Sequence, residues 1–345
     1  MTPITSPSRI LVTGANGYIA TWIIKAILDN GHTVIGTVRS SSKGEYLRKL
    51  FGDKFSYTLV PNIGEAGAFD EAVKQDIDGV VHSASPVSSQ GLTTGLSSGM
   101  LSVVQQISWR VCRNMVYEVL SGGVHRLGVK RVVLTSSVAA CLEPKEGQYT
   151  YTETDWNVTS PKIVEKGGPE AGGHLYRASK VLAERAAWDF VKKQNSFDLV
   201  TILPTVVFGP VIQEVNGVDS LSPTPGLFWR NVTQTHAMTG KGLSLNSVDV
   251  RDVALAHAIA LESPVAGGER FLLSAQPFQF QDQKDILREA GFTEIPEGVP
   301  GSGKTTVPDV IADGSKVTRV LGIKYRSHEE MVVDTYKSLK ELLSK

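Results

Sequence analysis

The chain has 345 residues, 41% hydrophobic and 20% charged, a globular composition with length for about two domains. Its 35 basic residues balance 35 acidic ones, so charge gives no support to nucleic acid or an anionic membrane as a partner. Two cysteines, Cys112 and Cys141, are too few for a disulfide framework or a zinc site. No apolar run reaches the roughly 18 residues that a bilayer-spanning helix needs. The opening "MTPITSPSRILVTG" lacks the basic start and apolar stretch of a secretory signal, which predicts the cytosol. The sequons at Asn157 and Asn231 then read as chance matches.

In chain order, "RILVTG" at 9 to 14 reads as a buried strand closed by glycine. "YIATWIIKAILDNG" sets Ile19, Ile23, Ile24, Ile27 and Leu28 at helical spacing and stops on Gly31. "HTVIGTVR" returns as a second strand, completing a βαβ unit. "FSYTLVP" predicts a third strand, "GAFDEAVKQDI" a helix and "DGVVHSA" a fourth strand. The Ser/Gly/Thr-rich stretch from 88 to 109 predicts a loop with a poor helix, and "RNMVYEVLSGGVHRLG" a helix before the fifth strand "KRVVLTSS". "HLYRASKVLAERAAWDFVKKQ" is a long helix, "DLVTILPTVVFG" a sixth strand and "FLLSA" a seventh. Apolar strands alternating with helices predict an α/β fold, a doubly wound parallel sheet of Rossmann type. Residues 1–209, with 248–275 returning to them, would form the nucleotide-binding domain. Residues 210–247 and 276–345, richer in Pro, Gly and polar residues, would form a smaller, discontinuous substrate domain.

Two glycine loops compete for a nucleotide. "GVPGSGKT" at 298 to 305 satisfies the P-loop pattern, but no convincing strand precedes it and no good helix follows, so it predicts a surface loop. "TGANGYIA" sits between a strand and a helix. Gly14 would allow the tight turn, Gly17 the approach of a pyrophosphate, and small Ala20 close packing. The helix N-terminus, with Asn16, Tyr18 and Ile19 beside it, would receive the phosphates. Where an NAD site carries an acid at the end of the second strand, this chain has Arg39, then Lys43. Those cations suit a 2′-phosphate and predict NADP(H).

"YRASK" places Tyr176 and Lys180 at i and i+4, on one helix face. A phenol with pKa near ~10 is a reluctant acid–base group, and a neighbouring ammonium favours its ionised form. Such a phenol can protonate the alkoxide formed when hydride reaches a carbonyl carbon. Ser136 and Ser137 leave the fifth strand at the edge where open α/β sheets bind ligands, and a hydroxyl there can orient the substrate oxygen.

Together, the glycine loop, TSS, Y-x-x-x-K, "ILPTVVFGP" and "VDVRDVALAH" resemble the extended short-chain dehydrogenase/reductases over nearly the whole chain. "VRSSSK" and "VVHSASP" resemble most closely the branch of dihydroflavonol reductase-like and fungal NADPH-dependent aldehyde and ketone reductases. The resemblance implies Ser137 as substrate-orienting serine, Tyr176 as general acid, and Lys180 as the residue that binds the nicotinamide ribose and assists the phenol. It also implies Arg39 and Lys43 at the 2′-phosphate, and Ala84, Ser85 and Ser136 lining the cofactor. Pro204 and Val207 would stand beside the nicotinamide. Three departures stand out. Asn62-Ile63 replaces the usual Asp-Ile near adenine, and no proton-relay Asn can be assigned, Asn114 being in uncertain register. Small or polar residues (Val87, Val138 and Gly173-His174) stand where relatives often carry bulk. His174 reads either as a substrate-side group or as a solvent-facing histidine. Phe208 and Trp229 offer aromatic walls, with core packing the competing role for Phe208.

These features predict an NADPH-dependent carbonyl reductase, acting as a monomer or homodimer on a small-molecule aldehyde or ketone. A bulky aromatic ketone or ketoester would suit the smaller pocket residues. A nucleotide-sugar epimerase or dehydratase of the same fold and a non-catalytic NADP-binding redox sensor are the competing readings. No metal is implied.

Overall fold

Seven short β-branched runs recur between helices, and in the computed structural model they pair side by side into one parallel sheet. The structure describes residues 3–65, 67–85, 128–193, 196–236, 245–305 and 310–344. In chain order the strands of this sheet are β1 (Arg9–Thr13), β2 (Thr33–Val38), β3 (Phe55–Leu59), β4 (Gly79–His82) and β5 (Arg131–Thr135), then β7 (Asp198–Pro204) and β10 (Arg270–Leu273). Their spatial order is β10-β7-β5-β4-β1-β2-β3. The chain runs outward from β1 to β3 and then restarts on the other side of β1 at β4. The crevice between the C-terminal ends of β1 and β4 is therefore the topological switch point, where such sheets bind ligands.

Alternation along each strand covers both faces. Ile10, Val12, Val133 and Ile202 pack with helix α1 (Tyr18–Asp29) and with the helix Val250–Glu262. Leu11, Val80, Val132 and Leu199 pack instead with Ala183, Ala187 and Phe190 of the long helix Ala171–Lys192. Side chains two apart share a face, so fully buried strands read as continuous apolar runs.

Several elements differ from the sequence expectation. The run from 198 to 209 is two strands: after Pro204, Thr205 bonds Leu273 O through its N–H, and β8 (Val206–Phe208) joins a second sheet with β9 (Leu245–Asp249) and β11 (Gln276–Phe278). A further pair, β6 (Tyr149–Tyr151) with β12 (Val310–Ala312), had no signal in our reading. The expected helix at 67 to 77 shortens to Asp70–Val73, with Lys74 as its C-cap, and Asp76 beyond it adopts φ 54°, a left-handed conformation. The expected poor helix at 88 to 109 lies outside the described residues, as does nearly all of the helix expected before the fifth strand. After residue 276 the mixed sequence holds three helices, Phe280–Glu289, Ser315–Leu321 and His328–Leu343. The last buries Met331, Val332, Thr335, Tyr336 and Leu339 as one stripe. Both sequon asparagines are fully buried, so the folded chain has no room for a glycan on either.

Candidate active site

The first glycine loop closes the switch point. Gly14 adopts φ +66°, and a Cβ there would stand 3.0 Å from Ala84 Cα. Glycine here permits both the left-handed turn and the close approach of the β1 and β4 ends. Thr37 fixes the turn, its hydroxyl accepting from Gly14 N–H (3.1 Å) and its carbonyl from Ala15 N–H (2.9 Å). Gly17 caps α1, so the helix amides open toward the crevice. Asn16 is half-buried beside it, while Ile19 packs its side chain on the core. Tyr18 points away from the crevice, its phenol donating to Gly209 O at 2.8 Å. Burial raises that phenol well above its ordinary pKa, so it remains a neutral donor.

Thr13 ties the two strand ends together. Its hydroxyl oxygen accepts from Ser83 N–H and Ala84 N–H, both at 3.1 Å, and lies 2.9 Å from His82 Nδ1. Having accepted twice, the hydroxyl gives its proton to Nδ1, which leaves His82 protonated on Nε2. Burial first, and the Lys180 ammonium second, push the His82 pKa down to about 3. At the outer end of the crevice Arg39 is exposed and makes no ion pair or hydrogen bond among the described residues, whereas Lys43 pairs with Glu214 at 2.6 Å. Asn62 is exposed. Its amide oxygen accepts from Gly64 N–H, its amide nitrogen donates to Glu65, and Ile63 packs against the core.

The second half of the site lies on the long helix and the end of β5. Lys180 Nζ sits 5.8 Å from the Tyr176 ring centroid and 3.5 Å from Ser85 Oγ, with no carboxylate paired to it among the described residues. Tyr176 is 48% exposed, facing outward from the helix. The two serines of TSS divide their work. Ser136 donates its hydroxyl to buried Glu184 at 2.6 Å. Ser137 caps the short turn Val138–Ala140, its oxygen accepting from Ala139 N–H at 3.2 Å, which leaves the hydroxyl proton free to donate. A cavity at this edge is lined by His82, Ala84, Ser85, Ser136, Lys180 and Glu184 among others.

Other expected pocket residues are placed differently. Phe208 is fully buried between Phe228 and Phe278, and Trp229 stacks on Tyr336 with centroids 6.0 Å apart. Phe208 is thus a core residue, while Trp229 is half-buried against the C-terminal helix His328–Leu343. His174 is half-buried, its Nδ1 2.9 Å from Ser160 Oγ, which ties its helix to the helix Thr159–Lys166. Val138 packs against the cluster that holds Ala140, Cys141, Val181 and Leu203. Pro204 ends β7, and Val207 is 4% exposed, within the core. Val87 and Asn114 lie outside the described residues. Burial pushes the Cys141 thiol up to about 12, which keeps it protonated and poorly nucleophilic.

The model of the NAD dependent epimerase/dehydratase family matches residues 10–273. The chain belongs to that family. Within it, the chain is similar to ketoreductase azaE of Aspergillus niger, 34% identical over 96% of this chain and 98% of the relative. It is also similar to the NADPH-dependent methylglyoxal reductase GRE2 of Saccharomyces cerevisiae, 31% identical over 94% and 96%. The crystal structure of yeast methylglyoxal/isovaleraldehyde reductase Gre2 complexed with NADPH superposes with TM-score 0.83 at 30% identity, covering 97% of this chain and 99% of that one.

Our sequence reading missed the polar support beneath this family site. Glu184, fully buried, accepts from Ser136, from Thr201 (3.0 Å) and from Arg270 Nε (2.7 Å). Arg270 lies flat over Trp156, 3.8 Å from the ring centroid to its guanidinium carbon. Glu184 stands one turn beyond Lys180 in "SKVLAE", so an acid on the Tyr/Lys face was the available signal; Arg270 had none.

Proposed function

We infer that this protein is an NADPH-dependent carbonyl reductase that converts an aldehyde or ketone into an alcohol. One observation carries the reading. An ammonium, Lys180, with no paired carboxylate among the described residues stands between Tyr176 and Ser85 at the edge of a nucleotide-type crevice. The names of the similar ketoreductase and methylglyoxal reductase support the same reaction class. The crevice suits the dinucleotide: a glycine turn with left-handed Gly14 at the switch point, first-turn helix amides beyond Gly17, and Arg39, unpaired among the described residues, for the 2′-phosphate.

When bound, the reduced nicotinamide supplies hydride for the carbonyl carbon. Ser137 donates its free hydroxyl proton in a hydrogen bond to the carbonyl oxygen and fixes its position. Tyr176 delivers a proton to that oxygen as negative charge develops on it, and its exposure lets the phenol recover a proton from solvent. Lys180 stabilises the phenolate left behind and, at Ser85, lies where a ribose would be held. Glu184 keeps Ser136 turned inward, so that Ser137 alone faces the reacting oxygen. The protein acts as a monomer or homodimer in the cytosol, and no described helix is long and apolar enough to cross a membrane. Arg39, in place of an acid, favours this reading over a sugar-modifying enzyme that retains NAD.

The test is NADPH oxidation against a dicarbonyl, an aliphatic aldehyde, an aryl ketone, a ketoester and a dihydroflavonol, with NADH in parallel. Turnover with NADPH and little with NADH is expected, best with the bulky carbonyls. Tyr176→Phe should lower kcat by about 10²–10⁴-fold and leave NADPH binding within twofold. Silence across the panel with both cofactors overturns the reading.

A further inference from the structure

The two cations at the end of the second strand are not equivalent. Arg39 is exposed and unpaired among the described residues. Lys43, in the first turn of the helix Ser41–Phe51, holds Glu214 Oε2 at 2.6 Å, with side chains 33% and 30% exposed. Most surface pairs of this kind contribute little, because two long side chains must be ordered to make them. Here one side is fixed in advance. Glu214 follows a segment pinned to the nucleotide half by three bonds: Tyr18 Oη to Gly209 O (2.8 Å), Trp22 Nε1 to Pro210 O (2.7 Å) and Tyr46 Oη to Ile212 O (3.0 Å). From the other side, Gly209 N–H donates to Thr335 Oγ1 (2.8 Å) and Val211 N–H to Ser338 Oγ (3.0 Å). The carboxylate is thus delivered to Lys43 by anchored backbone, at the end of β2 where a dinucleotide's adenosine ribose is recognised.

We propose that Glu214 competes with the 2′-phosphate for Lys43, and so limits how strongly this protein prefers NADP(H) over NAD(H). A 2′-phosphate carries between one and two negative charges and must either displace the carboxylate from Lys43 or bind beside it. At a few ångströms, inside the Debye length of about 8 Å, salt screens the repulsion only in part. Arg39 then supplies most of the phosphate recognition. Lys43 contributes its full charge only when Glu214 is neutralised or turned away. The inference rests on the NADP reading above.

Equilibrium titration with 2′,5′-ADP and 5′-AMP separates the phosphate contribution without turnover. Glu214→Gln should tighten 2′,5′-ADP about threefold to tenfold and leave 5′-AMP within twofold. Lys43→Met should weaken 2′,5′-ADP only slightly in the native background, and severalfold more in the Glu214→Gln background. A thermal midpoint close to native confirms that each variant is folded. The proposal is overturned if Glu214→Gln leaves 2′,5′-ADP unchanged or weakens it, or if the effect of Lys43→Met is the same in both backgrounds. If native protein binds the two nucleotides equally and Arg39→Ala changes neither, the NADP reading itself fails. That outcome differs from native discrimination that is merely insensitive to Glu214.

Discussion

The two glycine loops have similar letters and opposite surroundings. At 14 to 20, a loop joins a buried strand to a helix of 12 residues; Thr37 holds the Gly14 and Ala15 N–H groups, Gly14 O holds that of Gly17, the first amides of the helix follow, and no carboxylate is bonded to the loop among the described residues. At 298 to 305, side chains of the helix Phe280–Glu289 take two of the amides. Gly301 N–H donates to Asp285 Oδ2 at 2.8 Å, Val299 N–H to Gln281 Oε1 at 3.0 Å, and a Cβ on Gly303 would strike the Asp282 carboxylate. A loop with one carboxylate on an amide and a second against its glycine repels phosphate, whatever its glycine spacing. The difference teaches that a phosphate motif is defined by what stands opposite its N–H groups, not by the glycines themselves.

The comparison can be sharpened by disturbing each loop and its support. The largest effect is expected beneath the β5 end of the same site. Glu184→Ala strands Arg270 in the interior and should cost about 3–5 kcal/mol, read by chemical denaturation. No loss of stability would mean that the polar floor is dispensable. Acid tests the neighbouring strand ends: His82, beside Thr13, and His257, whose Nε2 lies 2.8 Å from Thr135 Oγ1, have pKa values of about 3 and about 4 because both are buried. Each is lowered in the fold, so the unfolded chain binds more protons below pH 6.5, and stability falls as pH drops. Each should cost about 2 kcal/mol between pH 7 and pH 5, and His82→Gln should flatten part of that slope. A denaturation midpoint independent of pH in this window would contradict the neutral buried histidines.

Smaller effects distinguish the loops directly. Gly14→Ala forces a left-handed conformation on alanine, worth about 1–2 kcal/mol, and presses on Ala84. NADPH affinity, measured by cofactor fluorescence, should fall at least about tenfold. Asp285→Ala, at the second loop, should cost about 1 kcal/mol in stability and leave NADPH oxidation kinetics unchanged. Impaired cofactor binding in this variant, or intact binding in Gly14→Ala, would reverse the assignment of the loops.

The sequence by itself determined the parallel sheet, because strands buried on both faces must be apolar at consecutive positions, as "RILVT" and "RVVLT" are. It also determined the nucleotide crevice and the Tyr176/Lys180 face, since both follow from local spacing on one strand-helix turn and one helix. Tertiary structure alone decided which serine keeps a free proton, since Ser136 meets Glu184 from another element. It alone placed Phe208 in the core, because an aromatic wall and an aromatic core residue look identical in one dimension. It alone brought Glu214 onto Lys43 across 171 positions of chain. Periodicity reports which face of an element is buried. Partnership across elements depends on how the sheet and its helices are stacked, and no local pattern carries that.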